Sequence, residues 1–99
     1  MKIYEKQDVD NSFIKAIEAM ESEDIKAEDL SIYFGSLSLT IDSRLHQLKK
    51  GIAKSISRDK ELIQLQEAAN CLTAKINSDS VTTMSQQIMS AYKVYATNH

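Results

Sequence analysis

The scarcity of residues that interrupt a helix is the strongest constraint on how this chain folds. Its 99 residues contain no proline and only two glycines, Gly35 and Gly51. Proline removes a backbone donor and clashes with the preceding helical turn, and glycine adds flexibility that weakens a helix interior. Because apolar residues also recur every three or four positions along most of the chain, the sequence predicts an all-α protein, a small bundle of three or four helices.

The N-terminal third predicts an arm followed by a short helix. Residues 1–10 are polar without a sustained period and are expected to form a flexible arm, and residues 11–96 a single helical domain. Asp10, Asn11 and Ser12 are good N-capping residues for a helix that reaches about Glu21, and Asp24 is expected to cap the next helix.

A long apolar stripe follows, with steps of three and four residues. It predicts either one helix of about 30 residues or two helices separated near Gly35, within residues 26–57. Gly51 lies beside this stripe and is interpreted as a glycine tolerated inside the helix. The members of the stripe are Leu30, Phe34, Leu37, Ile41, Leu45, Leu48, Ile52 and Ile56.

Two further stripes predict an antiparallel helical hairpin at the C-terminal end. Asp59 is expected to cap a third helix, and Ser80 closes a polar turn at residues 77–80 and caps a fourth. A four-residue turn makes neighbours of the helices on either side of it. The third stripe comprises Leu62, Leu65, Ala69, Leu72 and Ile76, and the fourth comprises Val81, Met84, Ile88, Tyr92 and Tyr95.

The titratable side chains lack a pattern typical of an enzyme or a metal site. Asp42 lies one helical turn before His46, but no nucleophile accompanies the pair. His46, His99 and the lone Cys71 do not have metal-ligand spacing. We therefore predict no catalytic activity, no metal and no cofactor. A single cysteine excludes an internal disulfide and suits a reducing compartment, and Cys71 is interpreted as a structural thiol.

Charge is distributed unevenly along the chain. Residues 1–30 carry nine acidic residues and four lysines, whereas residues 44–60 carry six basic residues and one aspartate. A basic helical face is predicted, and one hypothesis is a small phage- or plasmid-type inhibitor or regulator that docks this face on a protein target. The overall net charge of −2 and the lack of interleaved aromatic residues argue against nucleic-acid binding. The face comprises Arg44, Lys49, Lys50, Lys54 and Arg58.

The last helix carries tyrosines and methionines that are typical of either a core or an interface. Tyrosine offers a large contact area with a polar tip, and methionine adapts to irregular partners. The favoured hypothesis is a non-catalytic protein that binds a protein partner, or a second copy of itself, through an amphipathic helical surface. The predicted interface comprises Met84, Ile88, Met89, Tyr92 and Tyr95, with Leu37, Ile41, Leu45 and Leu48 on the long helix.

Residues 78–95, SDSVTTMSQQIMSAYKVY, resemble part of the needle and inner-rod subunits of bacterial type III secretion systems. The shared features are Asp79, Ser85-Gln86, Ser90 and the Tyr92–Tyr95 pair, although the proline that this family usually places after its aspartate is missing. The resemblance implies a component of such a system, and a helical chaperone or regulator would share the composition. No apolar run reaches the ~18 residues of a membrane span, and the N-terminus is charged. We expect a cytoplasmic protein, or one exported without a cleaved signal peptide.

Overall fold

Four α-helices make up the regular structure of the described residues, 1–73 and 80–97, in this computed structural model. The predicted all-α fold is confirmed. The second helix packs against the other three, and the third packs against the fourth. Residues 77–79 of the predicted turn, and Ile76, lie outside the described residues, so the antiparallel direction of the hairpin stays a prediction. The helices are α1 (Lys6–Met20), α2 (Ala27–Lys49), α3 (Arg58–Cys71) and α4 (Val81–Ala96).

Each helix contributes an apolar stripe to one core. The stripe predicted for α2 is buried at its first six positions, Leu30 to Leu48, and α4 buries Met84, Ile88 and Tyr95 of its own stripe. Such periodic burial is what turns a pattern with a period of 3.6 residues into a packed bundle. The largest fully buried side chains are Val9, Phe13, Leu30, Leu37, Ile41, Leu48, Leu65 and Ile88.

Helix α1 begins earlier than predicted. Residues 6–10, expected to belong to the arm, form its first turns, and Val9 is completely buried. Glu5 is the N-cap, and its backbone N–H donates to Asp8 Oδ2 over 2.8 Å. This is the reciprocal half of a capping box, with the acidic side chain three residues into the helix. The N-cap expected at residues 10–12 is therefore wrong.

Helix α2 ends at Lys49, which contradicts the predicted continuation to Ile56. Gly51 adopts φ +74°, so its interpretation as a residue inside the helix is also wrong. The N–H of Ile52 donates to the carbonyl of Gln47 over 2.8 Å, and the N–H of Gly51 donates to that of Leu48 over 3.2 Å. These two bonds form a Schellman motif, in which a left-handed glycine ends the helix.

The helix does not break at Gly35, which contradicts the alternative of two helices. Gly35 lies within α2, and its φ is not positive. The segment in which serine and leucine alternate is helical. Its leucines do not share one face, because Leu37 faces the core with Ile41 whereas Leu39 faces solvent.

Gly35, inside α2, and Gly51, just past its end, are expected to respond oppositely to alanine. Gly51→Ala forces a side chain into the left-handed region and should cost about 1–2 kcal/mol of unfolding free energy. Gly35→Ala adds a Cβ that meets no atom within 4 Å. It should stabilise the protein by about 0.5–1 kcal/mol, because alanine is the better helix former. Urea denaturation of both variants checks this, and equal effects would contradict the assignment of Gly51 as the helix terminator.

The helix caps were predicted correctly at one of three later positions. Ser80 caps α4, and its hydroxyl accepts a bond of 3.2 Å from the backbone N–H three residues on. The N-cap of α2 is Lys26 instead of Asp24, and that of α3 is Ser57 instead of Asp59. Asp59 lies instead in the first turn of α3, where an acidic side chain interacts favourably with the positive end of the helix dipole.

Candidate functional site

A buried ion pair joins α2 to α3. The side chains of Arg44 and Glu61 are 3% and 4% exposed. Arg44 Nε donates to Glu61 Oε2, and Arg44 Nη2 donates to Oε1 over 2.9 Å, so the guanidinium and carboxylate meet edge to edge. Arg44 also donates to the backbone carbonyls of Tyr4, over 2.8 Å, and Lys54, over 3.3 Å. One side chain thus connects the N-terminal segment, the α2–α3 connection and α3.

Gln47 fixes the N-terminal segment one turn further along α2. The N–H of Tyr4 donates to Gln47 Oε1, and Gln47 Nε2 donates to the carbonyl of Lys2, both over 2.7 Å. These two bonds and the one from Arg44 hold residues 2–4, part of the predicted arm, against α2.

The pKa of Glu61 reflects opposing influences. Burial, the largest influence, raises it, but hydrogen bonds from Arg44 and Ser55, together with the charges of Arg44 and Lys6, outweigh burial and leave the pKa below its ordinary value of 4.5. Because the pKa is lower in the folded state than in the unfolded state, ionised Glu61 stabilises the fold above the ordinary value. That contribution is lost as pH falls through the folded-state pKa.

Tyr95 joins α4 to α1. Its hydroxyl donates to Asp10 Oδ1 over 2.7 Å, and its ring lies 5.0 Å from that of Phe13, centroid to centroid. Phe13 also meets Tyr92 edge to face at 5.4 Å. Burial, followed by the hydrogen bond and the charge of Asp10, raises the pKa of the Tyr95 hydroxyl above its ordinary value of 10.0. Tyr95 is therefore held in place by α1.

Tyr95→Phe is expected to cost about 1.5–3 kcal/mol at neutral pH, because Asp10 loses a donor to a charged acceptor. Because the pKa of Tyr95 is raised in the folded state, the wild type keeps its full stability advantage over Tyr95→Phe below pH 10. The advantage falls as pH rises further. Denaturation of both proteins between pH 8 and 11 measures the difference. A difference that stays constant or grows above pH 10 would contradict the proposed hydrogen bond.

A surface cleft of about 710 Å³ lies above these contacts. It is bordered by α1, the α2–α3 connection, α3 and α4, and exposed apolar side chains from three of these segments line it: Ile14, Ile56 and Tyr92. A second hollow of about 490 Å³, lined by Met89 and Lys93 among others, adjoins the first. Tyr92 and Ala96 belong to both hollows.

Lysines border the larger cleft. Lys6 Nζ lies 3.6 Å from Asp10 Oδ1 and is thereby paired. The ammonium groups of Lys54 and Lys60 make no ion pair or hydrogen bond with any residue that the structure describes. We use the name Tyr92 surface for the two hollows together, formed by Ile14, Lys54, Ile56, Lys60, Met89, Tyr92 and Ala96.

Most of the predicted interface residues lie in the core. Only Met89 and Tyr92, which are 42% and 40% exposed, face solvent. Of the two hypotheses for the tyrosines of the last helix, a core or an interface, the core therefore applies to Tyr95 but not to Tyr92. The buried ones are Leu37, Ile41, Leu45, Leu48, Met84, Ile88 and Tyr95.

The predicted basic face loses one member. Arg44 is buried and paired with Glu61, so its assignment to a solvent-exposed face is wrong. Lys49, Lys50, Lys54 and Arg58 are exposed, and Arg58 Nε donates to the carbonyl of Leu48 over 3.3 Å.

Two other sequence-level candidates make no recognisable site. Asp42 and His46 are both exposed, and no hydrogen bond joins them. Cys71 is half-buried at the end of α3. Among residues 1–73 and 80–97, no group of three or more histidine, cysteine or acidic side chains is arranged to hold a metal ion.

Sequence reasoning missed Ile14, Ile56 and Lys60 as members of the Tyr92 surface. Ile56 was placed in the apolar stripe of α2, but α2 ends seven residues before it and the side chain is fully exposed. The only indication in the sequence that Ile56 is exposed is its position among serines and basic residues.

Comparison with known proteins adds no family. The chain matches no protein-family profile, no curated protein and no solved structure. In the described part of the chain, no helix has the length and apolar character needed to cross a membrane.

Proposed function

We propose that this chain is a non-catalytic binding protein that holds an amphipathic, acidic helix of a partner protein on the Tyr92 surface. The observation that carries the proposal is the position of Tyr92, an exposed aromatic side chain that borders both hollows. Amphipathic helices bind by inserting side chains at successive turns into such hollows.

The apolar side chains of the surface support a protein partner. Ile56 is fully exposed and Ile14 is 52% exposed, and both line the larger cleft with Tyr92, whereas Met89 lines the second hollow with Tyr92. Aromatic residues and methionine are enriched at protein interfaces, and tyrosine is among the residues that contribute most to the binding energy. The two hollows share Tyr92 and Ala96, so together they form a longer surface than either hollow alone.

The lysines of the surface support an acidic partner. Lys54 and Lys60 border the apolar part of the cleft and have no ion-pair partner among the described residues. Charges at the rim of an interface steer association and select the partner more than they add affinity. Acidic residues on the solvent-facing edges of a bound helix would meet both ammonium groups.

Binding of designed peptides tests the proposal. The probe is an 18-residue helical peptide with leucines at positions i, i+3, i+4 and i+7, glutamates only at the positions that flank this apolar face, and alanines elsewhere. A matched peptide carries lysine at every glutamate position. We expect calorimetric binding of the acidic peptide and at least roughly tenfold weaker binding of the basic one, which corresponds to about 1.4 kcal/mol. Equal binding of both peptides, or of neither, would contradict the proposal.

Matched variants locate the binding surface. Ile56→Asp and Met89→Asp should each weaken binding, whereas Ile63→Asp, at a residue that is 58% exposed on α3 outside both hollows, should not. Lys54→Glu with Lys60→Glu should reduce affinity by roughly tenfold, because two rim charges are reversed. All of these side chains are exposed, so the fold is expected to survive each change.

The exposed basic residues support a second candidate function, a regulator that docks a basic face on its target. Lys49 and Lys50 lie at the end of α2, away from both hollows, and Lys54 and Arg58 follow. Lys49→Glu with Lys50→Glu discriminates between the candidates. Loss of acidic-peptide binding in this variant, with Lys54 and Lys60 intact, would favour the basic face over the Tyr92 surface.

The resemblance of residues 78–95 supports a setting among type III secretion components or their chaperones. Tyr92 of the resembling segment is exposed, and Tyr95 is buried against α1. A chaperone or regulator that binds its partner through Tyr92 does not need to polymerise, whereas a filament subunit does. Light scattering is therefore expected to detect discrete small species at all concentrations, and open-ended growth of the mass would favour a filament subunit.

A further inference from the structure

The outward face of α2 carries no charge over half of its length. Residues 30–41 contain no aspartate, glutamate, lysine or arginine. Ile32 and Leu39 on this face are 68% and 61% exposed, and neither borders the two hollows of the Tyr92 surface. A solvated bundle helix ordinarily places charged residues on its outward side, so this face has the composition of a contact surface.

Gly35 lies between these two exposed side chains. It is exposed, and a Cβ added there would meet no atom within 4 Å. The fold of one copy therefore gives no steric reason for a glycine, which weakens a helix relative to alanine. A glycine does leave room for the backbone or side chains of a helix that packs from outside.

The same face carries opposite charges at its two ends. Glu28 and Asp29 lie in the first turn of α2, and Lys49 and Lys50 lie at its end, all exposed. Steps of four and three residues lead from Glu28 through Ile32, Gly35 and Leu39, and on through the exposed Asp42 and His46, to Lys49, so these positions share one side of the helix.

We infer that the outward face of α2 pairs with the same face of a second copy, with the two helices antiparallel. A two-fold axis near the helix midpoint, beside Leu39, places the acidic end of each copy against the basic end of the other. A parallel pair would instead bring like charges together at both ends, which is unfavourable. The direction of pairing therefore follows from the charge pattern.

The small area of this face limits the affinity between the two copies. α2 has 23 residues and is about 35 Å long. One face of a single helix buries less than the roughly 800 Å² per partner of a standard stable interface. Interfaces of this size are typical of weak, transient complexes, so we expect a dissociation constant on the order of 10–100 μM.

Charge reversal with sedimentation velocity tests the pairing. Glu28→Lys with Asp29→Lys, and separately Lys49→Glu with Lys50→Glu, should each raise the dissociation constant at least roughly tenfold. The chain that combines all four changes restores opposite charges and should dimerise within about threefold of the wild type. Lys15→Glu with Glu18→Lys, at exposed positions on α1, is the matched control that should leave dimerisation unchanged.

Leu39→Glu is a second variant that does not alter the helix ends, and it should abolish dimerisation while Ile63→Glu on α3 does not. A wild-type protein that stays monomeric at about 1 mM, far above the expected dissociation constant, would overturn the inference. So would failure of the fourfold variant to dimerise while its circular dichroism matches that of the wild type. Binding of the acidic peptide to the Tyr92 surface is expected to be unaffected by Leu39→Glu, so the two proposals fail independently.

Discussion

Arg44→Met is expected to destabilise the protein by about 3–5 kcal/mol, because it leaves the carboxylate of Glu61 buried without a partner. The wild-type carboxylate accepts two bonds from the guanidinium, and its side chain is 4% exposed. For a domain with a total unfolding free energy of about 5–15 kcal/mol, this loss is large. Chemical denaturation at pH 7 measures it, and a loss below about 1 kcal/mol would contradict a paired, desolvated Arg44.

The double variant Arg44→Met with Glu61→Leu separates pairing from burial. It removes both charges, so most of the loss should be recovered. The remaining deficit of about 1–3 kcal/mol reflects the carbonyls of Tyr4 and Lys54, which lose the donors that Arg44 supplies. The difference between wild type and Arg44→Met should also shrink as pH falls through the lowered folded-state pKa of Glu61, because the protonated acid no longer needs the guanidinium.

Phe13→Ala is expected to cost about 3–5 kcal/mol and to loosen the Tyr92 surface at the same time. Phe13 is completely buried, and its ring contacts those of both Tyr92 and Tyr95. Its removal therefore leaves a cavity where α1 supports α4. Denaturation measures the stability, and the fluorescence anisotropy of the tyrosines reports their mobility.

Ile14→Ala is the matched control for this prediction. Ile14 is the next residue along α1 and is 52% exposed. The change should alter the unfolding free energy by no more than about 0.5 kcal/mol. Similar losses for the two variants would mean that the position of Phe13 between the tyrosines is not what holds α1 to α4.

The spacing of the apolar residues predicted the core well, because residues at helical spacing share one face of a helix and that face is the buried one. Leu37, Ile41 and Leu48 follow each other at helical spacing, and all three are fully buried. The same period could not identify the buried polar residues. Arg44 and Glu61 lie at core-facing positions 17 residues apart, and a charge there is indistinguishable from a solvated one until its partner is known.

The predicted end of α2 was wrong because the conformation of one backbone residue determines where that helix ends. Gly51 ends α2 by adopting a left-handed conformation, and a glycine beside an apolar stripe does not reveal its φ angle. The candidate site was predictable only in part for a related reason. Met89 and Tyr92 belong to one helix and were found, whereas Ile14 and Ile56 reach the same surface from distant segments that only the tertiary fold brings together.

Methyl NMR during titration with the acidic peptide locates the bound peptide on the protein. With isoleucine and methionine methyl groups labelled, Ile14, Ile56 and Met89 report on the Tyr92 surface, and Ile32 and Ile63 report on exposed positions outside it. We expect saturable shifts of the signals of Ile14, Ile56 and Met89, and no shift of those of Ile32 and Ile63. Shifts centred on Ile32 or Ile63, with Ile56 and Met89 unchanged, would contradict it.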